Sequence, residues 1–163
     1  MTATDVVVLV HALIGILFLA GLIGRWIVLG AASRATDLPA MKTLTAAAAP
    51  FERIVIVGSM LVLLFGIVAT LMEGRSAVGP LAGGAVDWLF VSLLLFASIV
   101  PLVPLVFMPR GRVFAAAFAD AEAQDRVTPE LRAAWHDPVV RAAHVYELGA
   151  VTAILVLMLG MPF

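Results

Sequence analysis

Four side chains stand within or against otherwise uncharged apolar runs, and they are the ones best placed to do chemistry: His11, Arg25, His144 and Glu147. His11 interrupts the run 6–24, Arg25 closes it, and His144 and Glu147 lie at the start of the run that continues to the C-terminus. An ionisable group at membrane depth is costly and usually has a partner or a task. On the outer side His11 could meet Met72, Met158, Met161 or Asp87. A His/Met set suits haem iron or copper, and a His/Asp set suits a proton relay. His11, Met72, Met158 and Met161 are therefore the candidate cofactor-binding residues, for haem b or copper. The alternative is a histidine satisfied by a hydroxyl or carbonyl in a helix interface, with the methionines as packing filler.

At the opposite depth Arg25, Glu52, Arg53, Arg141, His144 and Glu147 fall together and are expected to form a buried polar cluster. Arg25 with Glu147 or Glu52 is the most economical pairing, because a lone buried charge costs far more than a bidentate pair. His144 and Glu147 are one turn apart. That is half of the carboxylate–histidine spacing of metal-binding bundles, and the second such helix is missing, so no metal motif is read there. His136, beside Trp135, is expected to be solvated.

The elements that must hold these residues follow from hydropathy. Hydrophobic residues make up 63% of the chain and charged residues 13%, and mean hydropathy is +1.13. Soluble domains sit nearer half apolar and a quarter charged. Runs of roughly 18 or more apolar residues are long enough to cross about 30 Å of hydrocarbon as helices. The expectation is an all-α, single-domain integral membrane four-helix bundle over residues 1–163. Its spans run about 6–29, 51–72, 87–108 and 141–162, with links 30–50 and 109–140. The first span is read as retained, since no basic n-region or small-residue cleavage pattern flanks it.

Stripes at helical spacing mark the faces expected to turn inward: His11, Gly15, Phe18, Leu22 and Arg25 on span one, and His144, Glu147, Val151, Leu155 and Met158 on span four. Glu52, Ser59, Gly66 and Thr70 form the expected inner stripe of span two, and Asp87 and Ser98 that of span three. Antiparallel order puts His11 and His144 about 20 Å apart along the bundle at 1.5 Å per residue, so they cannot share one haem iron.

Punctuation residues place the shorter elements. Asp37-Leu38-Pro39 opens a short helix near 40–48, and Pro50 starts span two. Thr128-Pro129 and Asp137-Pro138 open two more helices. Pro101 and Pro104 should kink span three or open its hydrogen-bond ladder, and 113–124 should extend it beyond the membrane. Pro50-Phe51-Glu52-Arg53 is echoed by Pro138-Val139-Val140-Arg141; this fits two similar hairpins, but fits better the general preference of inward-starting helices for proline and then a basic residue near lipid phosphates.

Charge fixes the expected orientation. Of ten basic residues, only Arg75 lies in the second link, so the positive-inside rule puts the first and third links in the cytoplasm and both termini outside. Trp26 and Tyr146 would be inner aromatic anchors and Trp88 an outer one. With a net charge of −1 nucleic acid is not expected as a partner. Cysteine is absent, which removes thiolate catalysis and Fe–S ligation. No nucleophile elbow, Walker loop, zinc-protease motif or dinucleotide fingerprint occurs.

Several segments resemble a bacterial family of predicted small integral membrane proteins, domain-of-unknown-function 2269. They are His11 with the glycines after it, Pro50-Phe51-Glu52-Arg53, and Gly111-Arg112-Val113-Phe114 through Val127-Thr128-Pro129-Glu130-Leu131 to Asp137-Pro138, then Glu147, Leu157-Met158 and Pro162-Phe163. The similarity covers nearly the whole chain. It departs at Met161, where family members carry lysine, so no basic residue there can be essential. The resemblance implies a four-helix fold in the bacterial inner membrane, and because the family has no assigned activity it supplies no function. A remoter likeness of the early histidine is to copper-resistance-D-type and protoporphyrinogen-oxidase-type bundles.

Three functions are expected in turn: an accessory or interaction protein seated in the lipid bilayer and bound to a larger membrane partner, a haem or copper redox bundle using His11, and a transporter working as a homo-oligomer.

Overall fold

The computed structural model describes residues 1–161; Pro162 and Phe163, which end the expected last span and the resemblance, lie outside the described residues. All regular structure among the described residues is helical. The first helix, α1 (Ala3–Arg34), starts on a capping box in which Thr2 accepts from the Asp5 backbone and Asp5 from that of Thr2. Asp37 then caps α2 (Leu38–Ala47), and α3 (Ala49–Met72) follows with Pro50 in its first turn. Beyond a 3₁₀ turn at Gly79–Ala82, Asp87 caps α4 (Trp88–Ile99).

Pro101 and Pro104 do what their missing N–H groups dictate. The chain widens into a π turn, Val103–Phe107, before resuming as α5 (Met108–Ala123). Thr128 caps α6 (Pro129–Trp135), and Asp137 caps α7 (Pro138–Gly160) by accepting from the Val139 and Val140 amides.

Four helical stretches are long and apolar enough to cross a membrane: 3–34, 38–72, 88–123 and 129–160. The protein is a multi-pass, all-α membrane bundle. All four stretches, at 32 to 36 residues, exceed the hydrocarbon. The 32 residues of α1 rise about 48 Å, and the 36 residues from Trp88 to Ala123 about 54 Å, against a core of about 30 Å. The surplus at the C-terminal ends of α1 and α5, together with α2 and α6, forms a cap outside the bundle.

Packing pairs α1 with α3 and α4 with α7, and the two hairpins meet along α1 and α7. Their shared core joins Phe18, Leu22, Val55, Ile99, Ala150 and Val151, one or more from each span. A second core lies in the cap, where Leu38, Met41, Ala121 and Leu131 are buried beneath Phe114, Phe118 and Trp135. The indole Nε1 of Trp135 donates to the Met41 sulfur at 3.1 Å, and its ring meets Phe114 edge-on at 4.7 Å. Lys42 and Glu122 pair across this module at 2.5 Å.

Two sequence expectations are corrected here. The inner face of α3 is Val55, Gly58, Gly66 and Ala69. Of the expected stripe Gly66 lies on it, against His11, whereas Glu52 is exposed, because α3 is apolar around its circumference and small residues decide which side approaches α1. Trp88 is not a lipid-facing anchor. It is buried, with the Arg75 guanidinium 5.6 Å from its ring centre.

Candidate functional site

The seam between the hairpins holds the polar centre. Arg25 reaches from α1 toward α7, where His144 and Glu147, three residues apart, project to the same side. The Arg25 Nη2 donates to Glu147 Oε2 at 2.6 Å and to His144 Nδ1 at 3.2 Å. Glu147 is only 5% exposed, so its carboxylate depends on this partner to remain charged at that depth. His144 Nδ1 also lies 3.5 Å from Glu147 Oε2. An arginine nitrogen only donates, so in this arrangement Nδ1 is the acceptor and a neutral imidazole carries its proton on Nε2.

The π turn supplies the fourth member. Widening the helix by one residue presents Phe107 to His144, with ring centres 4.7 Å apart and planes inclined by 23°. A cleft of about 30 Å³ opens beside the cluster, lined by Leu22, Arg25, Trp26, Leu29, His144, Glu147 and Leu148. That is room for a water molecule or two. The Arg25 Nε and Nη1 make no hydrogen bond among the described residues, and the cleft is where water can satisfy them. A second inter-helix hydrogen bond, Ser98 Oγ with the Tyr146 hydroxyl at 2.6 Å, ties α4 to α7.

The remaining members of the expected inner cluster are not in it. Glu52, Arg53 and Arg141 are exposed. They sit in the first turns of α3 and α7, where long charged side chains reach outward to the polar boundary instead of packing inside. His136 is exposed, with Nδ1 2.8 Å from the Arg132 carbonyl oxygen.

His11 is wedged between α1 and α3. A Cβ on Gly66 would stand 2.9 Å from its Cε1, so the absence of a side chain at Gly66 is what admits the ring. Its Nδ1 is buried and has no hydrogen-bond partner, methionine sulfur included, among the described residues. Met72 and Met161 are exposed and Met158 is half-buried. Asp87 is engaged as the cap of α4, accepting from the Phe90 amide at 2.9 Å. The donor set expected around a haem or copper is thus not assembled at His11. No group of three or more His, Asp or Glu with metal-binding geometry occurs among the described residues.

Sequence reasoning missed the Phe107–His144 stack and the cap core. The first had a partial signal in the Pro101/Pro104 pair, although the extra residue of a π turn shifts the register unpredictably. The second was signalled by Phe114, Phe118 and Trp135, large apolar residues in segments too polar to be membrane spans.

Set against protein-family models, curated proteins and solved structures, the chain matches none of them.

Proposed function

We propose that this protein is a non-enzymatic accessory protein of the bacterial cytoplasmic membrane, docking a larger membrane partner through its cap. In this reading it belongs with the domain-of-unknown-function 2269 proteins, both termini lie outside, and the cap stands in the cytoplasm, where the positive-inside rule puts nine of the ten basic residues. Nucleic acid is not a partner in this reading, and self-association into homo-oligomers is the competing form of the same idea.

One observation carries the proposal. The cap has its own buried core, built from both hairpins, although the four spans already have one. Links that only joined spans would not need a second ordered core, since short polar turns suffice. A groove of about 250 Å³ on this module, lined by Leu38, Pro39, Lys42, Glu122 and Asp125, offers apolar and charged contacts together. That mix matches docking surfaces, which combine a small apolar centre with a polar rim.

The test is affinity capture after gentle extraction, comparing wild type with Lys42→Glu and Glu122→Lys. Each variant breaks an exposed ion pair worth under about 1 kcal/mol, so the fold is retained. A defined partner at fixed stoichiometry, lost in both variants, supports the proposal. Capture of a partner unaffected by either removes the groove from it.

A further inference from the structure

The polar centre at the hairpin seam contains a choice that its geometry sets up. His144 Nδ1 stands 3.2 Å from an Arg25 nitrogen that can only donate and 3.5 Å from a Glu147 oxygen that, ionised, can only accept. Both contacts cannot be hydrogen bonds at once. With Nδ1 bare, Arg25 bonds to it; with Nδ1 protonated, the bond must run to Glu147, and the Arg25 nitrogen faces a cation.

We propose that His144 is a proton-binding site, and that a proton taken at Nδ1 exchanges the Arg25 hydrogen bond for one to Glu147 and loosens the α1–α7 seam. The proton comes from water in the adjacent cleft and returns there, so nothing else is consumed. The adjacent cleft, with about 30 Å³ of space open to water, gives the imidazole a route for proton exchange. Two ionisable groups contact the imidazole, Arg25 from α1 and Glu147 from its own helix. Arg141, one turn earlier on α7, is exposed. The π turn contributes the uncharged Phe107, whose stacked face favours an imidazolium. Arg25 links α1 to α7 directly here, so a changed bond at this point acts on the contact between the two hairpins. This inference is independent of the cap and its partner.

The experiment uses the full chain in lipid nanodiscs with ¹⁵N-labelled histidine and arginine. Spectra are recorded over a pH series from alkaline to acidic. The three histidines are assigned with His11→Gln, His136→Gln and His144→Gln variants. The expected result is a bare, hydrogen-bonded Nδ1 on His144 at the alkaline end and protonation there on acidification, with a simultaneous change in the Arg25 guanidinium signal. His144→Gln should leave that arginine signal independent of pH. The chain has no cysteine, so nitroxides on Ile27→Cys and Val139→Cys give a second measure. Their distance distribution should broaden on acidification in the wild type and not with His144→Gln. A His144 Nδ1 that stays bare throughout, or protonates with Arg25 and the label distances unchanged, overturns the proposal.

Discussion

Arg25 on α1 and Glu147 on α7 are 122 positions apart in the chain and meet at 2.6 Å between the two helical hairpins. Removing one member strands the other in an apolar seam, so Arg25→Ala or Glu147→Ala alone should cost about 3–5 kcal/mol. The double alanine variant should cost clearly less than the sum, and Arg25→Met with Glu147→Leu should recover most of the loss. Reversible unfolding in bicelles measures all four. Additive single costs would show that the two residues are not energetic partners.

Close approach of α1 and α3 rests on glycine. A Cβ at Gly24 would fall 2.3 Å from Phe51 Cε1, and one at Gly21 would fall 2.7 Å from Ile54 Cγ2. Gly21→Ala and Gly24→Ala should each destabilise by about 1–3 kcal/mol through overpacking. Gly149 has nothing within 4 Å. Gly149→Ala should instead be neutral or stabilise by up to about 1 kcal/mol through helix propensity. Thermal shifts of opposite sign at these positions are the expected reading.

His11 is a test of a different kind. A buried nitrogen without a partner contributes a penalty, so His11→Leu should be neutral or mildly stabilising, within about 1 kcal/mol. Gly66→Ala, which drives a methyl into the ring, should destabilise by about 1–3 kcal/mol. An absorption spectrum of the purified wild type beside His11→Leu checks the rival. Haem bands or bound copper lost with the histidine would return His11 to the ligand role.

Asp137 should make the start of α7 sensitive to acid. The Arg110 guanidinium beside it, with the Val139 and Val140 amides, holds its carboxyl below the ordinary aspartate range. A depressed folded value contributes stability that is fully present above the unfolded value of about 3.9 and is lost as pH falls through the folded one. Asp137→Asn should remove that acid-dependent loss while keeping much of the cap, and Asp137→Ala should cost about 1 kcal/mol at neutral pH as well. Hydrogen exchange at Val139 and Val140 against pH separates the two effects.

Much of the fold was legible in the sequence because two kinds of residue speak plainly. Apolar runs such as 54–72 have no alternative to a membrane helix, and Asp37, Thr128 and Asp137 before proline mark helix starts that the structure contains. Depth alone also brought Arg25 to the level of Glu147. Faces were harder. On α3 the polar residues Glu52 and Ser59 lie off the packed side, while Gly58 is buried on it. In lipid, close packing selects small residues and leaves polar ones at helix ends to reach the boundary. The methionines misled for a related reason, since a flexible apolar side chain near a histidine carries no geometric information of its own.

The most direct test of the proposed role is site-specific photocrosslinking in native membranes. A photoreactive residue at Pro39, Lys42 or Asp125, around the cap groove, is compared with one at Val156, an exposed α7 position in the apolar span. The account predicts one protein adduct of defined mass from the groove positions and none from Val156. Groove positions that yield no protein adduct, under conditions where the protein is folded and membrane-inserted, would contradict it.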